Sequence, residues 1–286
     1  MRLQLRSLVA AVALSLLLLL AGSASLPAVD LYVNGFSNTS QKSLFGKIDS
    51  DTGVYSQINS DVAGSNPQLS VQQIYGLAWN PAISQFNTLT EEGSLSTITT
   101  TGTVGSWLAT GLSTATNFLA YNPATSTLYA LNDETLSTVN PATGALSNIG
   151  VPGVYENHGS AFVNGTMYGT ANIGSSRTTD LRYGSFNLST GEFTAITASN
   201  DLSYSGMLLT YDGTTLFGLN GTNTLYTLNP TTGAYTTLRS VTGFSNGDLT
   251  AMSAPFAVPE PSTYALAAIA TGVMAAIARR RKARKA

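Results

Sequence analysis

Asp49-Ser50-Asp51-Thr52-Gly53 sets two carboxylates on alternate positions ahead of a glycine, the way a calcium loop opens. Such a loop also needs a bidentate acid further along, and none stands at that spacing. The aligned segments Asn140-Pro141-Ala142-Thr143-Gly144 and Asn229-Pro230-Thr231-Thr232-Gly233 carry no charge. The segment therefore reads as a hairpin turn capped by its own Asp side chain. Glu91-Glu92 and Asp133-Glu134 are adjacent acid pairs. Neighbours on a strand end point apart, so neither pair makes an acid/base couple by itself. His158 is the single histidine, and there is no cysteine. Disulfides, thiolate metal sites, cysteine nucleophiles and multi-histidine metal sites are thereby excluded. No Gly-x-Ser-x-Gly, phosphate-loop or zinc pattern occurs. No catalytic constellation, cofactor site or metal site is legible, and the sequence reading is of a protein that is not an enzyme.

The elements that must position these residues are short and repeated. Five segments match: Phe45–Asp49, Leu95–Thr99, Leu136–Asn140, Tyr183–Asn187 and Leu225–Asn229. Each is followed by a Thr-Gly turn, with the glycines at 53, 102, 144, 191 and 233, spaced by 49, 42, 47 and 42 residues. A further strand follows each turn, at Val54–Ile58, Val104–Leu108, Ala145–Ile149, Phe193–Ile196 and Ala234–Leu238. Two strands precede each repeated segment, an apolar one ending in Asn-Pro, Asn-Gly or Asp-Gly and then another. Four short strands in units of about 40–50 residues are the pattern of propeller blades. Runs such as Leu128-Tyr129-Ala130-Leu131 are apolar on both alternations, as a blade packed between two neighbours requires.

The first unit lacks an innermost strand, and Leu249–Ser253 stands alone after the fifth. Pairing the two closes a ring and removes free sheet edges. The expected fold is all-β: a five-bladed β-propeller of four-stranded blades over residues 29–256, closed by a C-terminal strand. A β-sandwich and an open array of the same hairpins are the alternatives.

On this fold the loops between second and third strands share a face with the blade-to-blade loops. Asp61, Glu91, Glu92, Asp133, Glu134, Glu156, Asp180, Asp201 and Asp248 fall there, with His158 just before an innermost strand. Asp49, Asp51, Glu192 and Asp212 fall on the other face, and Lys42 and Arg177 are the chief cations of the first. The first face is a candidate ligand surface for a cation, calcium being the weak metal candidate, or for a glycan.

Charge places the ends apart from the body. The chain of 286 residues is 10% charged and carries 13 Lys+Arg against 15 Asp+Glu, where an ordinary domain is about 25% charged. Eight of the basic residues lie in the terminal segments, leaving five against 14 acids between Asp30 and Asp248. An acidic body argues against a nucleic-acid partner.

Arg2 and Arg6, an apolar run over Leu8–Leu20 and Gly22-Ser23-Ala24 form an export signal cleaved after Ala24, or alternatively after Ala28. This signal-peptide helix would span residues 1–24. At the other end stand Val258-Pro259-Glu260-Pro261-Ser262, an apolar stretch over Tyr264–Ala278, and Arg279-Arg280-Arg281-Lys282. The stretch is short for a bilayer core of about 30 Å, so a transmembrane helix there needs local thinning. The basic end belongs in the cytoplasm.

This tail, residues 257–286, resembles the PEP-CTERM sorting signal of bacterial exported proteins. The resemblance implies processing by a membrane-embedded exosortase at the Val258-Pro259-Glu260-Pro261 region and an association with exopolysaccharide. The expected path is export and an inner-membrane intermediate with its body in the periplasm. The cell surface or extracellular matrix follows. The expected partners are the export machinery, the exosortase and extracellular polysaccharide.

The leading functional expectation is a non-catalytic binding or scaffolding propeller. The alternative is a secreted glycosidase-like enzyme that pairs Glu156 with Asp248 or Asp133 across one cleft. A phosphatase- or lactonase-like metal propeller is disfavoured by the single histidine.

Overall fold

The computed structural model describes residues 28–62, 73–112, 118–132, 135–154, 156–173, 180–197, 206–244 and 247–256. The expected signal peptide with Ala24, and the sorting segment with Val258, Pro259, Glu260 and Pro261, lie outside them. Among the described residues no helix is long and apolar enough to cross a membrane.

The described residues form five four-stranded antiparallel sheets. Blade 1 contains β1 (Asp30–Ser37), β2 (Lys42–Asp49) and β3 (Tyr55–Asn59). Blade 2 contains β4 (Ile74–Asn80), β5 (Gln85–Thr90), β6 (Ser94–Ile98) and β7 (Leu108–Ala109). Blade 3 contains β8 (Phe118–Asn122), β9 (Thr127–Leu131), β10 (Leu136–Val139) and β11 (Leu146–Gly150). Blade 4 contains β12 (Glu156–Val163), β13 (Thr166–Asn172), β14 (Leu181–Phe186) and β15 (Phe193–Ala195). Blade 5 contains β16 (Leu208–Tyr211), β17 (Leu216–Leu219), β18 (Thr224–Leu228) and β19 (Tyr235–Ser240). The last strand, β20 (Gly247–Ser253), pairs with β1 and completes blade 1 in the order β20-β1-β2-β3.

The innermost strands touch in the closed order β20, β4, β8, β12, β16 and back to β20. The ring is therefore a five-bladed propeller, and the sandwich and open-array alternatives fall. One expected strand is shorter than its segment. Val104 makes only an isolated bridge to Ile98, and β7 begins at Leu108. Between them the Gly105 amide donates back to the Thr97 carbonyl.

Each boundary between blades holds its own core. Phe45, Phe86 and Ile98 join blades 1 and 2, and Leu89, Leu95 and Leu128 join blades 2 and 3. Leu131, Leu136 and Phe186 join blades 3 and 4, and Tyr183, Leu209 and Leu228 join blades 4 and 5. Leu31, Ile48, Phe217 and Leu225 close the last boundary, between blades 5 and 1. Successive residues of one strand serve opposite boundaries, as Leu128 and Tyr129 do. That is why the strands are apolar on both alternations. Burial falls outward: every residue of β8 is buried, while β11 and β19 have none.

Buried hydroxyls and amides staple the blades together. Thr250 Oγ1 donates to the Ile74 carbonyl at 2.5 Å, and the Trp79 amide donates to Ser253 Oγ at 2.9 Å. The Ala254 amide donates to Thr210 Oγ1 at 2.7 Å, and Thr170 Oγ1 donates to the Met207 carbonyl at 2.9 Å. Asn157 Nδ2 reaches the Asn132 carbonyl at 3.1 Å. A buried polar group is costly unless bonded, so these contacts let polar side chains line an otherwise apolar ring.

The Thr-Gly turns are built as expected. Oδ1 of Asn140 accepts from the Ala142 and Thr143 amides, and Oδ1 of Asp49 accepts from the Asp51 and Thr52 amides. Those bonds to Thr52 are the main reason the Asp49 carboxyl titrates below its usual range. The glycines at 53, 102, 144, 191 and 233 have φ of 73, 84, 74, 81 and 72°, a region that other residues rarely occupy.

Four of these turns also pack on the outer strand of the preceding blade. The closest approach is between blades 3 and 4. A Cβ on Gly150 would lie 1.8 Å from the Thr190 carbonyl oxygen, which belongs to backbone. Gly150→Ala should therefore cost at least about 3 kcal/mol in urea unfolding, at the upper end for overpacking. Gly165→Ala, where φ is 84° but nothing lies within 4 Å, should cost only about 1–2 kcal/mol. A smaller loss at Gly150 than at Gly165 would contradict this packing.

Candidate functional site

The innermost strands all run in one direction around a central channel. They begin at the face carrying the blade-to-blade and second-to-third-strand loops, here the loop face. They end at the face carrying the first-to-second-strand turns, here the turn face.

At the turn-face end the channel opens into a small cavity. Trp79, Tyr121, Phe162 and Tyr211 come to it from equivalent positions on four blades, and Phe256 comes from the segment after β20. Trp79 Nε1 donates to the Phe256 carbonyl at 3.1 Å. Trp79 is thus a closing contact of the ring. Nearer the loop face lies a second, smaller cavity, lined by Tyr75, Phe118, Ser160 and Leu208 among others.

Around that second cavity the structure adds something the sequence did not announce. Three innermost strands slip register by one residue at equivalent positions: β4 at Tyr75, β12 at His158 and β20 at Thr250. A bulge leaves one residue outside the pairing and re-aims its side chain. His158, expected just ahead of an innermost strand, is instead inside β12 as the bulged residue. The strand reaches back to Glu156 because Glu156 and Asn157 continue to pair with Asn172 and Ala171. Gly76 and Gly159 follow two of the bulges. A Cβ on Gly159 would lie 2.6 Å from the Met207 carbonyl of the next blade.

Tyr75 is the residue that sequence reading missed. Its hydroxyl donates to Gln73 Oε1, and its pKa is pushed up to about 12, first by burial and then by the charges of Glu91 and Asp248. Glu91 and Asp248, from blades 2 and 1, are thereby brought to the same mouth. Glu92 beside Glu91 is exposed, as is Asp248.

The other acids divide. Asp180 is held by Arg182 through bonds of 2.5 and 3.1 Å, and the same guanidinium donates to the Thr197 carbonyl at 2.9 Å. Asp61 pairs with Lys42 at 2.6 Å. Arg182 therefore joins Lys42 as a cation of this face. Asp30 joins the acids of the turn face, opposite Asp49 in register and paired with Lys47 at 2.7 Å. Asp133, Glu134 and Asp201 lie outside the described residues. The expected pairing of Glu156 with Asp248 or Asp133 likewise rests on the Glu156 side chain, which lies outside them. Among the described residues no three acidic or histidine side chains gather where they could hold a metal ion.

Residues 257–282 match the PEP-CTERM protein-sorting motif. No curated protein matches this chain in sequence. Among solved structures, the ring is similar to a chain of a nidogen/laminin complex, with a TM-score of 0.51 and 12% identity, over 75% of this chain and 79% of that one. A catalytically inactive virginiamycin B lyase from Staphylococcus aureus with quinupristin gives a TM-score of 0.44 and 13% identity, over 70% of this chain and 64% of that one. At 12% identity the likeness to the nidogen/laminin chain is one of fold alone.

Proposed function

We propose that the chain is a cell-surface or matrix protein whose propeller is a non-catalytic binding or scaffolding module associated with exopolysaccharide. The observation that carries this reading is the join at Phe256. A closed ring ends there, and the sorting motif begins at the next residue.

The motif implies export and processing by an exosortase, with the cell surface as destination. In our reading the tail first holds the protein in the inner membrane, body in the periplasm and basic end in the cytoplasm. Processing then passes the ring to the surface. The stapled channel supports a binding role over catalysis. On its innermost strands the buried hydroxyls of Thr210, Thr250 and Ser253 are engaged between blades, while among the described residues Ser160 Oγ has no partner. Two acids of the loop face, Asp61 and Asp180, are engaged by cations.

The test is glycan-array binding by the purified 25–258 fragment, with release of reducing ends measured on every glycan that binds. Retention of one glycan class without cleavage is the expected result. Cleavage of the bound glycan would turn the reading to a carbohydrate-active enzyme, and no binding to any glycan would remove the polysaccharide link.

A further inference from the structure

Both connections of the ring to the rest of the chain leave from one face. β1 runs from the turn face toward the loop face, so Ala28 and Val29 stand on the turn face. The Val29 amide donates to Ser50 Oγ at 2.9 Å, and the Ser50 amide donates to the Val29 carbonyl at 3.0 Å. β20 runs the opposite way beside it and ends at Ser253. Phe256 is then fixed over the turn-face end of the channel by Trp79 and lies near Gly213, in the turn after β16.

From Phe256 the chain has seven residues, 257–263, before the apolar stretch that starts at Tyr264. Seven residues span at most about 25 Å when fully extended. An innermost strand of seven residues such as β4 carries the loop face about 20 Å further away.

We propose that, while the tail is intact, the turn face is the surface held against the lipid bilayer and the loop face is the one displayed away from it. This rests on the reading of the tail as a membrane segment. It assigns the loop face, with Tyr75, Glu91 and Asp248 at its channel mouth, as the surface open to extracellular partners. The turn face is occupied by the membrane until processing frees it.

The absence of cysteine from the sequence makes the test direct. Single cysteines are placed on the turn face as Ala82→Cys and Ala124→Cys, and on the loop face as Glu92→Cys and Asp248→Cys, all at exposed positions. The exported form, Ser25–Ala286, is labelled with a fluorophore and reconstituted into phosphatidylcholine vesicles containing nitroxide-headgroup lipid. Beginning at Ser25 leaves the tail as the membrane segment under test. Sedimentation with the vesicles, compared with the same chain lacking Pro259–Ala286, reports on the tail.

Quenching at the two turn-face positions should exceed that at the two loop-face positions at least twofold. Equal quenching on vesicles that do sediment the chain, or stronger quenching on the loop face, overturns the orientation and leaves the tail reading intact. Failure of the chain to sediment with the vesicles overturns the tail reading, and the orientation with it.

Discussion

Removing β20 is expected to abolish the folded ring: residues 28–256 should unfold in one cooperative thermal transition, and residues 28–246 should show none. β20 supplies the innermost strand of blade 1 and seals β4 to β16. Its loss takes away the buried side chains of Ala251 and Met252. It also breaks the bonds from Thr250 to Ile74, from Trp79 to Ser253 and from Ala254 to Thr210. Buried groups left without partners cost about 1–3 kcal/mol each. The inner edge of β1, buried from Leu31 to Phe36, is exposed as well. These losses together match the whole stability of an ordinary domain, about 5–15 kcal/mol.

The cause is the missing strand and not the shorter chain, so restoring the strand elsewhere restores the fold. Phe256 and Ala28 stand on one face and can be joined by a short Gly/Ser linker. New ends are then opened at Asn164-Gly165, a two-residue turn at which Asn164 is exposed. This permutant is expected to melt within a few degrees of the parent. A truncated chain with an unchanged midpoint would show that the ring does not depend on its closing strand.

The second large effect is on location. Deleting Pro259–Ala286 is expected to move the protein from the membrane fraction to the soluble fraction or the medium, by more than tenfold. The deletion removes the apolar Tyr264–Ala278 stretch and the basic end that follows it. What remains exported is the ring. Its described residues contain no helix able to cross a membrane. The ring itself should be unaltered, because among the described residues its last anchoring contact, from Trp79 to Phe256, precedes the deletion. An equal melting midpoint for the deleted and intact chains separates loss of sorting from loss of folding. A deleted protein that stays with the membrane would place the retention signal elsewhere.

The fold was largely legible because its signals are local. Each Thr-Gly turn is written in four or five adjacent residues, and Asp49, Asn140, Asn187 and Asn229 cap their turns alike. The closing strand was legible because the first unit lacks its innermost strand and Leu249–Ser253 has no other place to pair. The site was less legible because its geometry depends on register between strands. A one-residue bulge at Tyr75, His158 or Thr250 follows from which residues stand opposite, and neighbouring sequence does not display that. Ion pairs behave likewise: Lys42 meets Asp61 across 19 positions through the fold of blade 1. Asp180 with Arg182 is the closest to a sequence signal. The two are separated by one residue, so at a strand end they point to the same side.

The central claim is that this propeller is exported and then separated from its tail, and intact mass measures that most directly. The protein is purified from the producing cells and from matched cells lacking the exosortase. Both forms are expected to begin at Ser25. The form from complete cells should end within the Val258–Pro261 region, while the form from deficient cells should retain Ala286. A tail ending at Ala286 in both, or lost equally in both, would contradict it.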